Sequence, residues 1–291
     1  VKALADLILG TALWSGAAFA GGQTAPGQAP PRPAPLTIGE TTLLDFTADD
    51  RRQINVYLPD GYATDGKRYP VLYLIDGGLT QDFLHVAGTS QLGALWGRSR
   101  PAIVVGIETK DRRAELTGTP GNAEQRKRYP TAGHAAAFRA FLRDKVKPFV
   151  ASHYRTDGTD GIMGESLAGL FVVETWLREP ALFGSYAAIS PSVWWDEGAL
   201  SKAAPTLIGG GQAGHRIYIA TEDQGPEYNA NHDRLTAAMA RAGGWCFAMR
   251  PGVTHATIYH TVSPEALQFL FPPAEAPDPQ TGFEVQCSRK S

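Results

Sequence analysis

Short apolar runs without polar alternation recur along the chain at residues 71–75, 102–107, 186–189 and 217–220. A strand that buries one face alternates apolar with polar residues, whereas a strand covered on both faces reads as a continuous apolar run. These four runs therefore predict strands of a parallel sheet sandwiched between helices. Two earlier segments, 37–46 and 52–58, carry strand-type residues on either side of the Asp49-Asp50 turn. Between the runs, 134–150 repeats Phe138, Phe141, Leu142, Val146 and Phe149 at helical spacing. Residues 167–177 are apolar almost all round and stop shortly before Pro180, as a buried helix does; 231–242 and 264–271 complete the helices. Strands alternating with helices predict a single α/β domain over 36–275, a mostly parallel doubly wound sheet with helices on both faces. No internal repeat is present, and the chain after Pro272 turns proline-rich and then polar, a C-terminal tail over 276–291.

The N-terminus predicts a compartment. Lys2 precedes a mostly apolar stretch over 7–19 that ends in Ala18-Phe19-Ala20, the small-x-small form of a cleavable signal peptide over 1–20. That stretch is too short to cross a bilayer, and no later one approaches the ~18 apolar residues of a membrane span. Residues 21–35, rich in Gly, Pro, Ala and Gln, read as a tether that cannot bury enough apolar surface to fold. A periplasmic or secreted protein is the expectation.

Composition narrows the classes. At 291 residues and 43% hydrophobic content the chain can bury a large core, which excludes a disordered chain. Lys and Arg number 27 against 29 Asp and Glu, so net charge gives no reason to expect a nucleic-acid partner. Two cysteines, Cys246 and Cys287, exclude an all-cysteine metal site, and no His-Glu-x-x-His occurs. An oxidising compartment would allow the two to pair; a buried Cys246 thiol is the alternative. Two phosphate-loop spellings are loops by context. Gly61–Lys67 lacks the following Ser/Thr and feeds a strand, and Gly209–Gly214 also leads into a strand instead of a helix.

Gly164-Glu165-Ser166-Leu167-Ala168-Gly169 follows the short strand 161–163 and opens the helix 167–177. Strand before and helix after are the context of a nucleophile elbow, where small neighbours tolerate the strained serine. The helix N-terminus places the Leu167 amide where an oxyanion forms. The glycines of Asp76-Gly77-Gly78 let a second donor approach, with Gly78 N–H as the choice. In this fold the acid and then the histidine follow the serine in chain order. His255 lies in a loop after the last short strand, 246–249, and is the expected base, ahead of His260, His215 and His232. The acid belongs directly after the strand 217–220; Glu222 is the first carboxylate there, and Asp223 and Glu227 remain open. Arg112 and Arg113, with the Arg126-Lys127-Arg128 run, are candidates to clamp an anionic or catecholate substrate, against the reading of solvated loops. Trp194 and Trp195 are candidates to wall an acyl or aryl pocket, or else to support the crevice.

Taken in order, Ile103–Ile107, Arg112-Arg113-Ala-Glu-Leu-Thr117, Tyr154-Arg-Thr-Asp157, the Gly164–Gly169 motif, Ser190-Pro-Ser-Val-Trp-Trp195 and Thr254-His255 resemble the Putative esterase family of α/β-hydrolases. That family includes enterochelin, salmochelin and bacillibactin esterases, feruloyl esterases and S-formylglutathione hydrolase. The similarity is greatest to the siderophore-esterase branch and covers about 36–271. It implies Ser166 as nucleophile, His255 as base, and neither metal nor organic cofactor. The chain departs from the family's Gly-His-Ser-Leu-Gly-Gly at Glu165 and Ala168, and from its Gly-Gly-Ala at Gly133-His134-Ala135. Some siderophore esterases of the family work without a third acid. The expected activity is a serine carboxylesterase acting on a small-molecule ester, siderophore lactones and aryl esters included. The alternatives are an acyltransferase or peptidase with the same triad, and a non-catalytic hydrolase-fold binding protein, which would lack a triad member.

Overall fold

The computed structural model describes residues 33–290, so the expected signal peptide and most of the 21–35 tether lie outside the described residues. From Ile38 onward the chain forms one compact unit. Its strands are β1 (Glu40–Thr47), β2 (Asp50–Tyr57), β3 (Tyr69–Ile75), β4 (Ile103–Ile107), β5 (Thr156–Glu165), β6 (Ser185–Ile189), β7 (Arg216–Glu222), β8 (Trp245–Arg250) and β9 (Arg289–Lys290). They lie in one sheet in the order β1-β2-β4-β3-β5-β6-β7-β8-β9. From β4 to β8 all neighbours are parallel; β1 and β2 at one edge and β9 at the other are antiparallel. The expected α/β-hydrolase architecture is present.

The continuous apolar runs have a direct cause. In β3, Val71, Tyr73 and Ile75 belong to a core with Phe138, Phe171 and Trp176, while Leu72 and Leu74 face a second core with Phe83, Ile258 and Leu267. Each face of the sheet is thus covered, and no position of β3 is left for a polar residue: all seven are buried. The helix Leu167–Arg178, buried at nine positions from Ala168 to Leu177, packs behind β5 and β6.

Several helical regions differ from expectation. The 134–150 run is divided into Ala135–Phe141, a π-helical turn over Leu142–Val146, and Lys147–His153. Pro148 has no N–H for an ordinary helical bond, and the ladder widens just before it, Lys147 N–H reaching back to the Leu142 carbonyl. The helices Phe83–Leu95 and Trp195–Leu207 were not expected. The first exposes Leu84, Leu92 and Leu95, which blurs its apolar stripe; the second contains a left-handed stretch at Asp196, Glu197 and Gly198.

The segment after 275, expected as a separate polar tail, returns to the sheet. Cys246 in β8 and Cys287 form a disulfide, which settles the pairing left open above. Ser288 N–H donates to the Phe247 carbonyl at 2.7 Å, Gln286 N–H donates to Glu265 at 2.8 Å, and β9 adds a short antiparallel edge to β8. The bridge closes a loop spanning 41 positions, so Cys287→Ser should lower the free energy of unfolding by about 2–4 kcal/mol. Urea denaturation checks this, with reduced wild type expected to match the variant. Equal midpoints for the variant and the oxidised wild type would show that the bridge contributes nothing.

Candidate active site

β5 delivers the chain into a turn at Ser166, whose φ of 59° and ψ of −116° lie in a region that residues with a Cβ rarely occupy. Small neighbours make the turn feasible. A Cβ on Gly164 would come within 2.7 Å of the Ala168 Cβ, and one on Gly169 within 2.9 Å of the Ile189 carbonyl oxygen. Two bonds hold the turn: Ser166 N–H to the Ile189 carbonyl at 3.0 Å, and Ser192 N–H to the Ser166 carbonyl at 3.0 Å. Five non-glycine residues among those described have positive φ, and Asp76, Ser166 and Ser190 directly follow β3, β5 and β6. Backbone strain is therefore concentrated at the carboxyl edge of the sheet, where this class of fold binds ligands.

Three expected residues meet there. His255 Nε2 lies 3.2 Å from Ser166 Oγ, and His255 Nδ1 lies 3.2 Å from Glu222 Oε1. Glu222 closes β7 and is 4% exposed, while the histidine side chain on its loop is 54% exposed. This combination decides among the three carboxylates. Asp223 is spent on Gly225 N–H and the Asn229 amide, and among the described residues neither Asp223 nor Glu227 hydrogen-bonds to His255. The other histidines are elsewhere: His215 bonds the Phe183 carbonyl, His232 is buried beside Thr221, and His260 packs against His85.

The electrostatics follow from these contacts. Burial acts to raise the Glu222 carboxyl, but hydrogen bonds from His255, backbone and Ser190 outweigh it and hold the group below its usual value. The bond to Glu222 raises His255 above the ordinary histidine value, against a desolvation effect of opposite sign. Glu165, beside the nucleophile, is pushed up to about 7, chiefly by burial, and its Oε1 is buried without a hydrogen-bond partner. Burial and the neighbouring Asp76 raise Asp82 to about 6.

The remaining expected residues separate into two groups. Leu167 N–H, first in its helix, has no intrahelical acceptor and faces the site with the positive end of the helix dipole. Gly78 N–H, by contrast, donates to Gln81 Oε1 at 2.8 Å, and Gln81 is itself tied to the Thr109 carbonyl at 2.9 Å. Arg112 pairs through Nε with the buried Asp76 at 2.8 Å and acts electrostatically on His255 and Glu165. Arg113 is turned away, over the Tyr129 ring at 5.0 Å. Trp194 is 39% exposed and meets the exposed Tyr228 edge-on at 6.1 Å. Trp195 is instead 7% exposed and packs on Tyr129, so most of its surface belongs to the core. Among the described residues no group of three or more His, Cys, Asp or Glu side chains is placed to hold a metal ion, and no helix is long and apolar enough to cross a membrane.

Sequence reasoning missed Ser190 and Gln224. Ser190 Oγ lies 2.7 Å from His255 Nδ1 and accepts from Gln224 Nε2 at 3.2 Å. A polar residue directly after the apolar run 186–189 was the available signal.

An open, mostly parallel sheet with a strained serine between strand and helix, backed by histidine and glutamate, defines an α/β-hydrolase. The chain belongs to the Esterase family, described as Putative esterase, whose model matches residues 47–243. Curated relatives include the ferri-bacillibactin esterase BesA of Bacillus subtilis, 30% identical over 159 residues that make up 48% of this chain and 53% of that protein. The apo-salmochelin esterase of Escherichia coli is 32% identical over 137 residues, 43% of this chain and 42% of its own. The chain thus spans about half the length of the curated relatives it matches. Among solved structures, an IroE-like serine hydrolase from Shewanella oneidensis superposes with a TM-score of 0.68 at 24% identity, covering 80% of each chain. The BES protein from Bacillus cereus superposes with a TM-score of 0.71 at 19% identity, covering 84% of this chain and 99% of its own.

The Glu222–His255 contact makes a prediction independent of any substrate. In an NMR titration the His255 ring should titrate above the ordinary histidine value, and Glu222→Gln should bring its midpoint down. An unchanged midpoint in the variant would separate Glu222 from the histidine.

Proposed function

We propose that the chain is a serine carboxylesterase that cleaves small-molecule esters through an acyl-enzyme. The observation that carries this reading is Ser166 Oγ at 3.2 Å from His255 Nε2, with Glu222 bonded to the far side of the ring, at the end of a strained strand–turn–helix. Ser166 Oγ attacks the ester carbonyl while its proton passes to His255 Nε2. The proton then goes to the leaving alkoxide, and water repeats the sequence on the acyl-enzyme. Leu167 N–H donates to the developing oxyanion. Gly78 N–H supplies a second bond once Gln81 releases it.

Siderophore lactones or aryl esters are the proposed substrates. The names of the similar bacillibactin and salmochelin esterases support this class. So does the exposed Trp194–Tyr228 pair, since Trp194 lies two residues along the chain from Ser192, whose N–H bonds the nucleophile's carbonyl. We also propose export, supported by the leader-like N-terminal pattern and the Cys246–Cys287 bridge, which an oxidising compartment favours.

Hydrolysis of p-nitrophenyl acetate, then of catecholate-lactone and feruloyl-ester panels, tests the reading. Ser166→Ala should reduce turnover on the order of 10⁶-fold and abolish labelling by a fluorophosphonate, with circular dichroism unchanged. Glu222→Ala should lose less, roughly 10²–10⁴-fold, because serine, histidine and oxyanion donors remain. Turnover should fall as pH drops through a midpoint above the ordinary histidine value, since protonated His255 cannot accept the serine proton. Turnover by Ser166→Ala above a few per cent of wild type would overturn the assignment.

A further inference from the structure

Ser190 directly follows β6 and is 1% exposed, yet its φ is 42°, a strained value for a residue with a side chain. Its N–H is anchored on the Ala220 carbonyl at 2.6 Å, which fixes the direction of the side chain. Ser190 Oγ then has three polar neighbours: Glu222 Oε1 at 2.9 Å, His255 Nδ1 at 2.7 Å and Gln224 Nε2 at 3.2 Å.

Proton counting orients every one of these bonds. A serine hydroxyl has one proton and two lone pairs, an ionised carboxylate only accepts, and an amide NH₂ only donates. The Ser190 proton therefore goes to Glu222, and one lone pair takes the Gln224 N–H. The other lone pair faces Nδ1, which must carry a hydrogen. With the ring proton on Nδ1, Nε2 presents a lone pair to Ser166 Oγ, the only tautomer in which the histidine can act as a base. Glu222 accepts at the same nitrogen, but Ser190 Oγ is the nearer acceptor at 2.7 Å. The Glu222 contact to Nδ1 is the longer one at 3.2 Å, and Glu222 Oε2 is buried with no hydrogen-bond partner.

We propose that Ser190, held by Gln224 and Glu222, is a positioning residue that fixes the His255 tautomer and shares the charge of the imidazolium formed during ester cleavage. No bond to Ser190 is made or broken. The proton that leaves Ser166 rests on Nε2, and the Ser190 hydroxyl keeps its own. The catalytic part of this inference rests on the esterase reading, whereas the tautomer does not.

Two substitutions separate the hydroxyl from the backbone. Ser190→Ala removes the hydroxyl but keeps a Cβ at positive φ; Ser190→Gly removes the hydroxyl and relieves the strain. Both should lower kcat on p-nitrophenyl acetate by roughly 10- to 100-fold, less than the loss of a general base itself, with KM within about twofold. Both should also move the acid limb to lower pH, because an oxygen that stabilises the imidazolium is gone. The charged groups acting on His255 are Glu222 from β7, Glu165 from β5 and Arg112 from the helix Arg112–Leu116; all stay in place in these variants. In a Glu222→Gln background, Ser190→Gly should cost several-fold less than it does alone, because the two act as a unit.

¹⁵N shifts of the His255 ring read the tautomer without any substrate: Nδ1–H in wild type, and a mixture with Nε2–H in Ser190→Gly. Wild-type kcat and acid limb in Ser190→Gly would overturn the proposal, as would an unchanged Nδ1–H ring. Restoration of activity by Gly but not by Ala would assign Ser190 to backbone strain alone. If wild type neither hydrolyses the ester nor reacts with the fluorophosphonate, the esterase reading fails. The nitrogen shifts then still decide the role of Ser190.

Discussion

The constraint on which the site depends is the turn at Ser166. A residue with a side chain sits where the backbone is strained, and the turn closes only because Gly164, Ala168 and Gly169 leave room for each other and for the β6 end. The same turn starts the helix Leu167–Arg178, so one distortion lifts the hydroxyl above the sheet and aims unsatisfied helical amides at it. Everything else is brought to that point by parallel order. Because neighbouring strands run the same way, the residues that follow β3, β5, β6 and β7 emerge on one edge, although they lie far apart along the chain.

That edge carries more carboxylates than one reaction needs, and the surroundings divide them. Burial without sufficient donors pushes Glu165 and Asp82 up towards neutrality. Glu222, 4% exposed, remains ionised because hydrogen bonds from His255, backbone and Ser190 meet its charge. Residues of one chemical type are thus assigned different protonation states by the number of donors each one faces.

How far the sequence could be read follows from the same physics. The runs at 71–75, 102–107 and 186–189 are legible because both faces of those strands are covered, which leaves no place for polar residues. Ser166 and His255 are legible because their local contexts are short and ordered. The helix Phe83–Leu95 was hidden by leucines that stay exposed, and Trp195–Leu207 by the left-handed stretch at 196–198. Glu222, Asp223 and Glu227 look alike in the chain; only the depth of the β7 end distinguishes them. Trp194 and Trp195 look alike in the chain, and the sequence cannot say which of two adjacent tryptophans turns inward. Ser190 acquires its role from three partners at sequence distances of 32, 34 and 65, a conjunction that no local pattern announces.

The return of the C-terminal segment also has a consequence for how the molecules behave towards each other. A parallel sheet that ended at β8 would present a row of unpaired backbone groups, a template for strands of other chains. Arg289 and Lys290 occupy part of that row, opposite Phe247 and Cys246, with two cationic side chains on a pairing too short to propagate. The disulfide fastens this cover from within the same strand. Its chemical loss in a reducing medium would therefore expose an adhesive edge as well as loosen the fold, and so favour strand pairing between molecules.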